Sequence, residues 1–334
     1  MSFFKGKKIL ITGGTGSLGN AFIERMLKDT SVDRLIIYSR DEYKQDMMKK
    51  KFSKHEKRLR YFIGNVRDRI RLSRAFEGVD YVVHAAALKQ VPAIEYNPIE
   101  AIKTNIYGAE NIIDVALDNG VKKVVALSTD KSVHPANMYG ATKMVSDKLF
   151  VSANAYVGKK ETRFSVVRYG NIAGSRGSVV PYFKALIDNG ASSLPITDAR
   201  MTRFWITLDQ GVDLVLEALK SPMRGEIYVA KIPSFKITDL ATAMGPHCKL
   251  IETGIRVGEK LHEIMITEED SRTAYEYANH YIIYPSFEWW HSSFKVKTGG
   301  KKAREGFRYT SDSNKEWLDI KHLKKRLSQL KTEK

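Results

Sequence analysis

Hydrophobic positions in the first half of the chain follow two alternating patterns. The β-branched runs KKILIT (7–12), RLIIYS (34–39), RYFIG (60–64), YVVHAA (81–86), KKVVALS (122–128) and RFSVVRY (163–169) read as strands buried on both faces. Between them, 17–28, 68–76, 99–119 and 139–156 carry apolar residues at helical spacing. That alternation predicts an α/β fold, a doubly wound parallel sheet with helices on both sides. Beyond residue 170 the pattern loosens. Helical stretches at 179–189, 208–220 and 237–244 alternate with short strand runs at 204–207 and 226–230, as expected of a smaller, mixed unit. Such a unit would cover the carboxyl ends of the sheet, where open α/β sheets bind ligands.

Composition narrows the class. The 334 residues include 55 Lys and Arg against 38 Asp and Glu, a net charge of +17, with 43% hydrophobic residues. That hydrophobic share excludes a disordered chain. The single cysteine, Cys248, excludes an internal disulfide, a CxxC metal site and an iron–sulfur centre. No apolar run approaches the roughly 18 residues of a membrane span. The N-terminal MSFFKGKKILITGG does not read as a signal peptide, so a cytoplasmic protein is expected. The charge is local. Residues 44–74 hold twelve Lys and Arg against three Asp and Glu, and 295–334 hold thirteen against five, which accounts for the whole excess. Nucleic acid, lipid and phosphorylated metabolites all attract basic proteins, but solvated helix faces and a frayed tail are the preferred reading of such runs. The aromatic stretch YPSFEWWHSSF (284–294) reads as a buried edge or a subunit contact.

Directly after the first strand stand Thr12-Gly13-Gly14-Thr15-Gly16-Ser17-Leu18-Gly19. Glycines at 13, 16 and 19 permit a tight turn, close approach of backbone to a pyrophosphate and close packing of the next helix, whose N-terminus faces the phosphates. The position between a strand and an amphipathic helix makes this a dinucleotide site, and the first unit a Rossmann-type domain over residues 1–170. Residues 171–334 are then mainly a substrate-binding domain and a basic tail, with some chain crossing back to the sheet. After the second strand come Ser39-Arg40-Asp41-Glu42-Tyr43-Lys44 in place of a lone acid. Ser39, Arg40 and Lys44 suit a 2′-phosphate, so NADP is expected over NAD, with Asp41 as the counterweight.

Tyr-x-x-x-Lys occurs twice, at Tyr139/Lys143 and Tyr156/Lys160. Only the first opens a helix shortly after a strand end, at Thr129; the second reads as a solvated helix end. An ammonium at i+4 is expected to lower the phenol pKa and hold the nicotinamide ribose, and Thr129 to share the hydrogen bond.

With these residues assembled, the chain resembles the extended short-chain dehydrogenase/reductase family from the glycine turn to about residue 275. His84-Ala85-Ala86-Ala87, Thr104-Asn105-Ile106-Tyr107-Gly108 and Arg168-Tyr169-Gly170-Asn171 agree with it. Ser128-Thr129-Asp130-Lys131 narrows the resemblance. Dehydratases that retain C5 configuration carry Asp-Glu after the threonine, whereas Asp-Lys is similar to the inverting UDP-N-acetylglucosamine 4,6-dehydratases. HAAALKQVP (84–92), RYGNIAGSRGSVVP (168–181), ITDARMTRFWIT (196–207) and GIRVGEKLHE (254–263) also resemble that group.

The resemblance implies NADP-dependent 4,6-dehydration of UDP-N-acetylglucosamine with C5 inversion, at the start of pseudaminic-acid-type sugar biosynthesis for flagellin or surface glycans. It also implies a homo-oligomer, hexamers included, with no metal, nucleic-acid or membrane partner. Lys131 would be the C5 base, Asp130 the acid for the leaving hydroxyl, and Tyr139, Lys143 and Thr129 the oxidation centre. The cofactor would be held by Gly13, Thr15, Gly16, Ser17, Leu18, Gly19, Ser39, Arg40, Lys44, Asn65, Val66, Ala85, Ala86, Lys89, Tyr139, Lys143 and Ile172. The nucleotide-sugar would contact Lys89, Ser128, Thr129, Asn171, Arg203, Arg256 and Glu259. Two positions depart from the family pattern: Asn65 replaces an Asp near the adenine, and Val257 a common Pro. A UDP-sugar 4-epimerase is the nearest alternative, because it shares Thr129, Tyr139 and Lys143 but leaves Asp130 and Lys131 without a task. A non-catalytic NADP-binding protein holding nucleic acid is the remote one.

Overall fold

The computed structural model describes residues 3–175, 177–221, 224–287, 290 and 296–330. Six strands, β1 (Lys8–Thr12), β2 (Arg34–Ser39), β3 (Leu59–Ile63), β4 (Tyr81–His84), β5 (Lys123–Thr129) and β6 (Arg163–Tyr169), pair in parallel in the order β3–β2–β1–β4–β5–β6. This is the strand order of dinucleotide-binding sheets, whose order reverses beside β1.

The continuous apolar runs follow from burial on both faces. Ile9, Ile11, Leu35, Ile37, Val83 and Val125 belong to one core with α1 (Ser17–Leu27) and the helix Leu208–Lys220. Their alternating neighbours Leu10, Ile36, Val82, Val124 and Ala126 belong to the other core. That second core includes α3 (Arg69–Phe76), α6 (Gly108–Asp118) and α7 (Met138–Ala153). Between α1 and α3 lies α2 (Glu42–Lys51), and between β4 and α6 the short α4 (Val91–Tyr96) and α5 (Pro98–Ala101).

The sequence predicts one helix over 99–119. The chain instead forms α5, a π-helical turn at Ile102–Tyr107, and then α6. The wide turn carries the buried Asn105. Its amide accepts from Leu88 N (2.8 Å) and donates to Leu88 O and Thr142 Oγ1 (both 3.0 Å), tying the loop after β4 to α7.

Past β6, the strand Ile227–Ala230 extends the sheet in parallel, and His280–Ile283, Ala274–Glu276 and Lys301–Lys302 follow it antiparallel. A third core gathers Val180, Phe183, Leu194, Trp205, Phe235, Leu240 and Leu323, from the helices Val179–Asp188, Ile237–Met244 and Ile320–Ser328 and the short strands beside them. In the aromatic stretch Tyr284 and Trp290 are buried and Phe287 is exposed, while 288, 289 and 291–294 lie outside the described residues.

Six of the twelve cations of the basic segment 44–74 are ion-paired within the fold. Lys44 pairs with Asp41, Lys49 with Glu56, Lys50 with Asp46, Lys51 with Glu24, Arg67 with Glu100, and Arg69 with Asp114 and Asp118. Arg58 donates to the carbonyls of Leu27, Asp29 and Val32. Among the described residues, no helix is long and apolar enough to cross a membrane.

Candidate active site

A cavity of about 780 Å³ opens at the carboxyl ends of the sheet. Its floor is backbone. Gly13 takes φ +65°, and a Cβ there would lie 2.9 Å from Ala86 N and 3.0 Å from the Ala85 carbonyl. Beneath it, Thr12 Oγ1 accepts from Ala86 N (3.3 Å) and meets His84 Nδ1 (2.8 Å), fixing β1 to β4. Gly16 caps α1 without any side-chain hydrogen bond, so the first-turn N–H groups face the cavity without a competing anion. This side-chain-free cradle at a helix N-terminus fits a dinucleotide pyrophosphate.

At the end of β2, Ser39, Arg40 and Lys44 line the same cavity. Asp41 is engaged as the N-cap of α2: its Oδ1 accepts from Lys44 N (2.9 Å) and its Oδ2 pairs with Lys44 Nζ (2.8 Å). Asn65 Oδ1 accepts from Arg67 N (3.1 Å), while Tyr38 donates to the Asn65 carbonyl (2.9 Å).

Helix α7 sets Tyr139, Lys143 and Asp147 four residues apart, hence along one face. Asp147 is buried and accepts from Ser128 Oγ (2.6 Å) and Ser132 Oγ (3.0 Å). Burial lowers the Lys143 pKa, against the pull of Asp147. The expectation that Lys143 lowers the phenol of Tyr139 is not met here. Burial pushes Tyr139 up to about 12, and the cation that opposes the shift is Lys131.

Asp130 and Lys131 form a single 3-10 turn after β5. Asp130 is fully buried, and its Oδ1 accepts from Thr129 Oγ1 (3.0 Å) and Lys131 Nζ (3.1 Å). Lys131 Nζ also reaches Glu263 Oε1 at 3.3 Å. Glu263 is buried, with Arg203 Nε at 3.6 Å and Lys260 Nζ at 3.7 Å. Lys260 donates to the carbonyls of Asp130 (3.2 Å) and Val133 (2.7 Å).

Burial opposes the charge of Asp130, Lys131 and Glu263; it prevails at Asp130, and the neighbours outweigh it at the other two. Burial raises the pKa of Asp130 and Glu263 adds to the rise. Burial also works against the Lys131 ammonium, but Asp130 and Glu263 outweigh it, so the Lys131 pKa is raised. For Glu263 burial is outweighed by Lys131, Arg203 and Lys260, so its carboxyl falls below the ordinary range.

Every residue expected to hold the cofactor lines the cavity: Gly13, Thr15, Gly16, Ser17, Leu18, Gly19, Ser39, Arg40, Lys44, Asn65, Val66, Ala85, Ala86, Lys89, Tyr139, Lys143 and Ile172. So do Ser128, Thr129, Lys131 and Asn171. Asn171 Oδ1 is buried without a hydrogen-bond partner, an acceptor left for a ligand to satisfy. The Ser128 hydroxyl is already donated to Asp147. Asp130 lies behind Lys131, outside the lining. So does Arg203, which donates to the Thr202 (2.7 Å) and Leu261 (3.1 Å) carbonyls. Arg256 is exposed, and Glu259 is half-buried with Oε2 unpartnered. Tyr156 is 57% exposed past the end of α7, and Lys160 donates to Leu117 O (2.8 Å).

Sequence reasoning missed Glu263, Lys260 and Asp147. The first two lie in the segment 254–263, where a Lys and a Glu three apart were the available signal; Asp147 continues the i+4 spacing from Lys143. Among the described residues, no group of three His, Cys, Asp or Glu could hold a metal ion.

A Rossmann sheet with this tyrosine–lysine helix at its carboxyl edge defines an extended short-chain dehydrogenase/reductase architecture. The chain belongs to the family described as polysaccharide biosynthesis protein, which matches residues 9–285. It is 54% identical over 325 residues to the UDP-N-acetylglucosamine 4,6-dehydratase (inverting) of Campylobacter jejuni, covering 96% of this chain and 97% of that one. It is also 40% identical over 331 residues to the UDP-glucose 4-epimerase of Rickettsia prowazekii, covering 97% and 96%. Among solved structures, Pen from Bacillus thuringiensis superposes with a TM-score of 0.91 at 36% identity, covering 98% and 99%. DesIV, a dTDP-glucose 4,6-dehydratase from Streptomyces venezuelae solved with NAD and TYD, shares the fold at a TM-score of 0.69 and 24% identity, over 76% and 86%.

Proposed function

We propose that this chain catalyses NADP-dependent 4,6-dehydration of UDP-N-acetylglucosamine with inversion at C5. The product is UDP-2-acetamido-2,6-dideoxy-β-L-arabino-hexos-4-ulose, made by a cytoplasmic homo-oligomer as the first step toward pseudaminic-acid-type sugars. The observation that carries the reading is Lys131. Its amine lines the cavity shared with Tyr139 and Lys143 while bonded to the buried Asp130. Residues 1–170 hold the cofactor and the reacting groups, and 171–334 chiefly the nucleotide-sugar.

The bound nicotinamide supplies a hydride acceptor for sugar C4 and a donor for C6. The chain's own groups handle protons. Tyr139, beside Thr129 and acting as the phenolate, takes the 4-hydroxyl proton and becomes the neutral phenol. The C4 ketone acidifies C5–H, which Lys131 removes as Asp130 protonates the departing 6-hydroxyl. With Asp41 engaged as a helix cap and paired with Lys44, Arg40 is the cation to meet a 2′-phosphate, a reading that favours NADP.

The test is incubation with UDP-N-acetylglucosamine in D2O, followed by NMR. A 4-keto-6-deoxy product with deuterium at inverted C5 is expected, and no reaction overturns the proposal. The Rickettsia relative favours a second reading, a UDP-sugar 4-epimerase. Inversion at C4 alone would support it, at the cost of leaving the Asp130–Lys131 pair idle. Retention and turnover with NADP and NAD decide the cofactor; equal or better use of NAD overturns that part.

A further inference from the structure

We propose that Glu263 is the positioning residue behind the base: it holds Lys131 and is the counter-ion of the ammonium that forms when Lys131 takes the C5 proton. The inference rests on the dehydratase reading.

Lys131 Nζ stands between two carboxylates, Asp130 Oδ1 at 3.1 Å and Glu263 Oε1 at 3.3 Å. They are not equivalent. Glu263 has two further cations, Arg203 at 3.6 Å and Lys260 at 3.7 Å, whereas Asp130 has its second oxygen buried without a partner. When Lys131 gives up its proton, Asp130 loses the cation that balances it and Glu263 keeps two. The proton therefore goes to Asp130, and Glu263 stays ionised. The transfer leaves the net charge of the five groups unchanged, so a dry site can accommodate it.

The proton and electron count closes. A Lys131 N–H bond breaks and an Asp130 O–H bond forms. The free amine then takes the C5 proton, the C5–H pair becomes the C5–C6 double bond, and the C6–O bond breaks. The leaving hydroxide takes the Asp130 proton as water, and Lys131 ammonium and Asp130 carboxylate are restored. While Lys131 is gaining its charge Asp130 is still a neutral acid, so Glu263 is the carboxylate within 3.3 Å that can stabilise the developing ammonium. Among the described residues, the charged and titratable groups facing the cluster are Asp130 and Lys131 on the turn after β5, Tyr139 on α7, Arg203 on the strand Thr202–Ile206, and Lys260 and Glu263 on the segment leading to Ile264.

The experiment compares the full-length wild type with Glu263→Gln and Glu263→Asp, each loaded with NADP+ and given UDP-N-acetylglucosamine. Two signals are followed: cofactor reduction by absorbance, and C5 deuterium uptake by NMR across pH. Glu263→Gln should retain cofactor reduction within about threefold while C5 exchange falls roughly 10²-fold. The rising limb of its pH profile, set by loss of one proton from the doubly protonated Asp130–Lys131 pair, should move to lower pH, because without the Glu263 charge that proton is held less tightly. Glu263→Asp should show a smaller change of the same sign, and it carries the test if the glutamine variant does not fold. Wild-type exchange with an unmoved limb overturns the proposal, as does equal loss of both signals in both variants. A wild type that neither reduces cofactor nor exchanges C5 overturns the dehydratase reading itself.

Discussion

The glycine turn and the acid–base cluster both lie at the carboxyl ends of the sheet, and they are built in opposite ways. The turn is eight consecutive residues, 12–19, acting through backbone geometry and a bare helix N-terminus. The cluster joins Asp130 and Lys131 to Arg203, Lys260 and Glu263, with a hydrogen bond that spans 132 positions. The turn is sensitive to sterics and barely to charge. The cluster is sensitive to charge and depends on Arg203, Lys260 and Glu263 packing together beside the turn after β5.

The strongest way to separate them is Lys131→Ala. C5 exchange should fall by about 10³-fold or more while cofactor stays bound, because the base is lost and the cradle is untouched. Normal turnover in NMR assays would sink the assignment of the base. Next, Gly13→Ala forces a side chain onto φ +65° and against the Ala85–Ala86 backbone. It should destabilise the fold by about 1–3 kcal/mol and weaken cofactor binding at least tenfold. An unchanged melting temperature and cofactor titration would mean that the turn yields more easily than its contacts imply. Arg40→Ala is milder: NADP affinity should drop roughly tenfold with NAD little affected, as expected for one charge-assisted bond on an exposed side chain. Equal losses for both cofactors would remove Arg40 from the 2′-phosphate.

The smallest effect calibrates the cluster. Glu226 is also a buried carboxylate, but no trio of cations surrounds it, and burial pushes it up to about 7 from 4.5. Its folded pKa is raised, so the stability it contributes is fully present below pH 4.5 and is lost as pH rises through 7. Urea denaturation should show roughly 2–3 kcal/mol of loss across that window in the wild type and a flatter profile in Glu226→Gln. Identical profiles would mean that burial alone does not govern this site, and would weaken the same argument for Asp130.

What the sequence disclosed follows the same division. Strands β1 to β6, the glycine turn and the Tyr139–Lys143 helix are encoded by neighbours in the chain, and their patterns were legible. The π-helical turn was not, because Asn105 reaches Leu88 and Thr142, 17 and 37 positions away. Glu263 and Lys260 left only a weak signal for the same reason: a Lys and a Glu in a polar loop look like surface residues until the fold buries them beside Lys131. The excess charge of 44–74 reads from the sequence as a solvated helix face, and what the sequence does not show is its partners, because Glu24, Glu100 and Asp118 lie elsewhere in the chain.

Gly140, the residue after Tyr139, sits where a Cβ would collide with the Lys131 carbonyl and come within 3.0 Å of Pro135 Cβ. The helix bearing Tyr139 is thus stacked directly on the strand-end turn bearing Lys131. For an engineer who wishes to exchange stereochemical outcomes between related scaffolds, residues 128–147 are one cassette, and replacing Asp130 and Lys131 alone would leave the underlying geometry of the host unchanged. A working transplant has to carry the close-packed helix with the turn, and to bring residues 260–263 as the matching half.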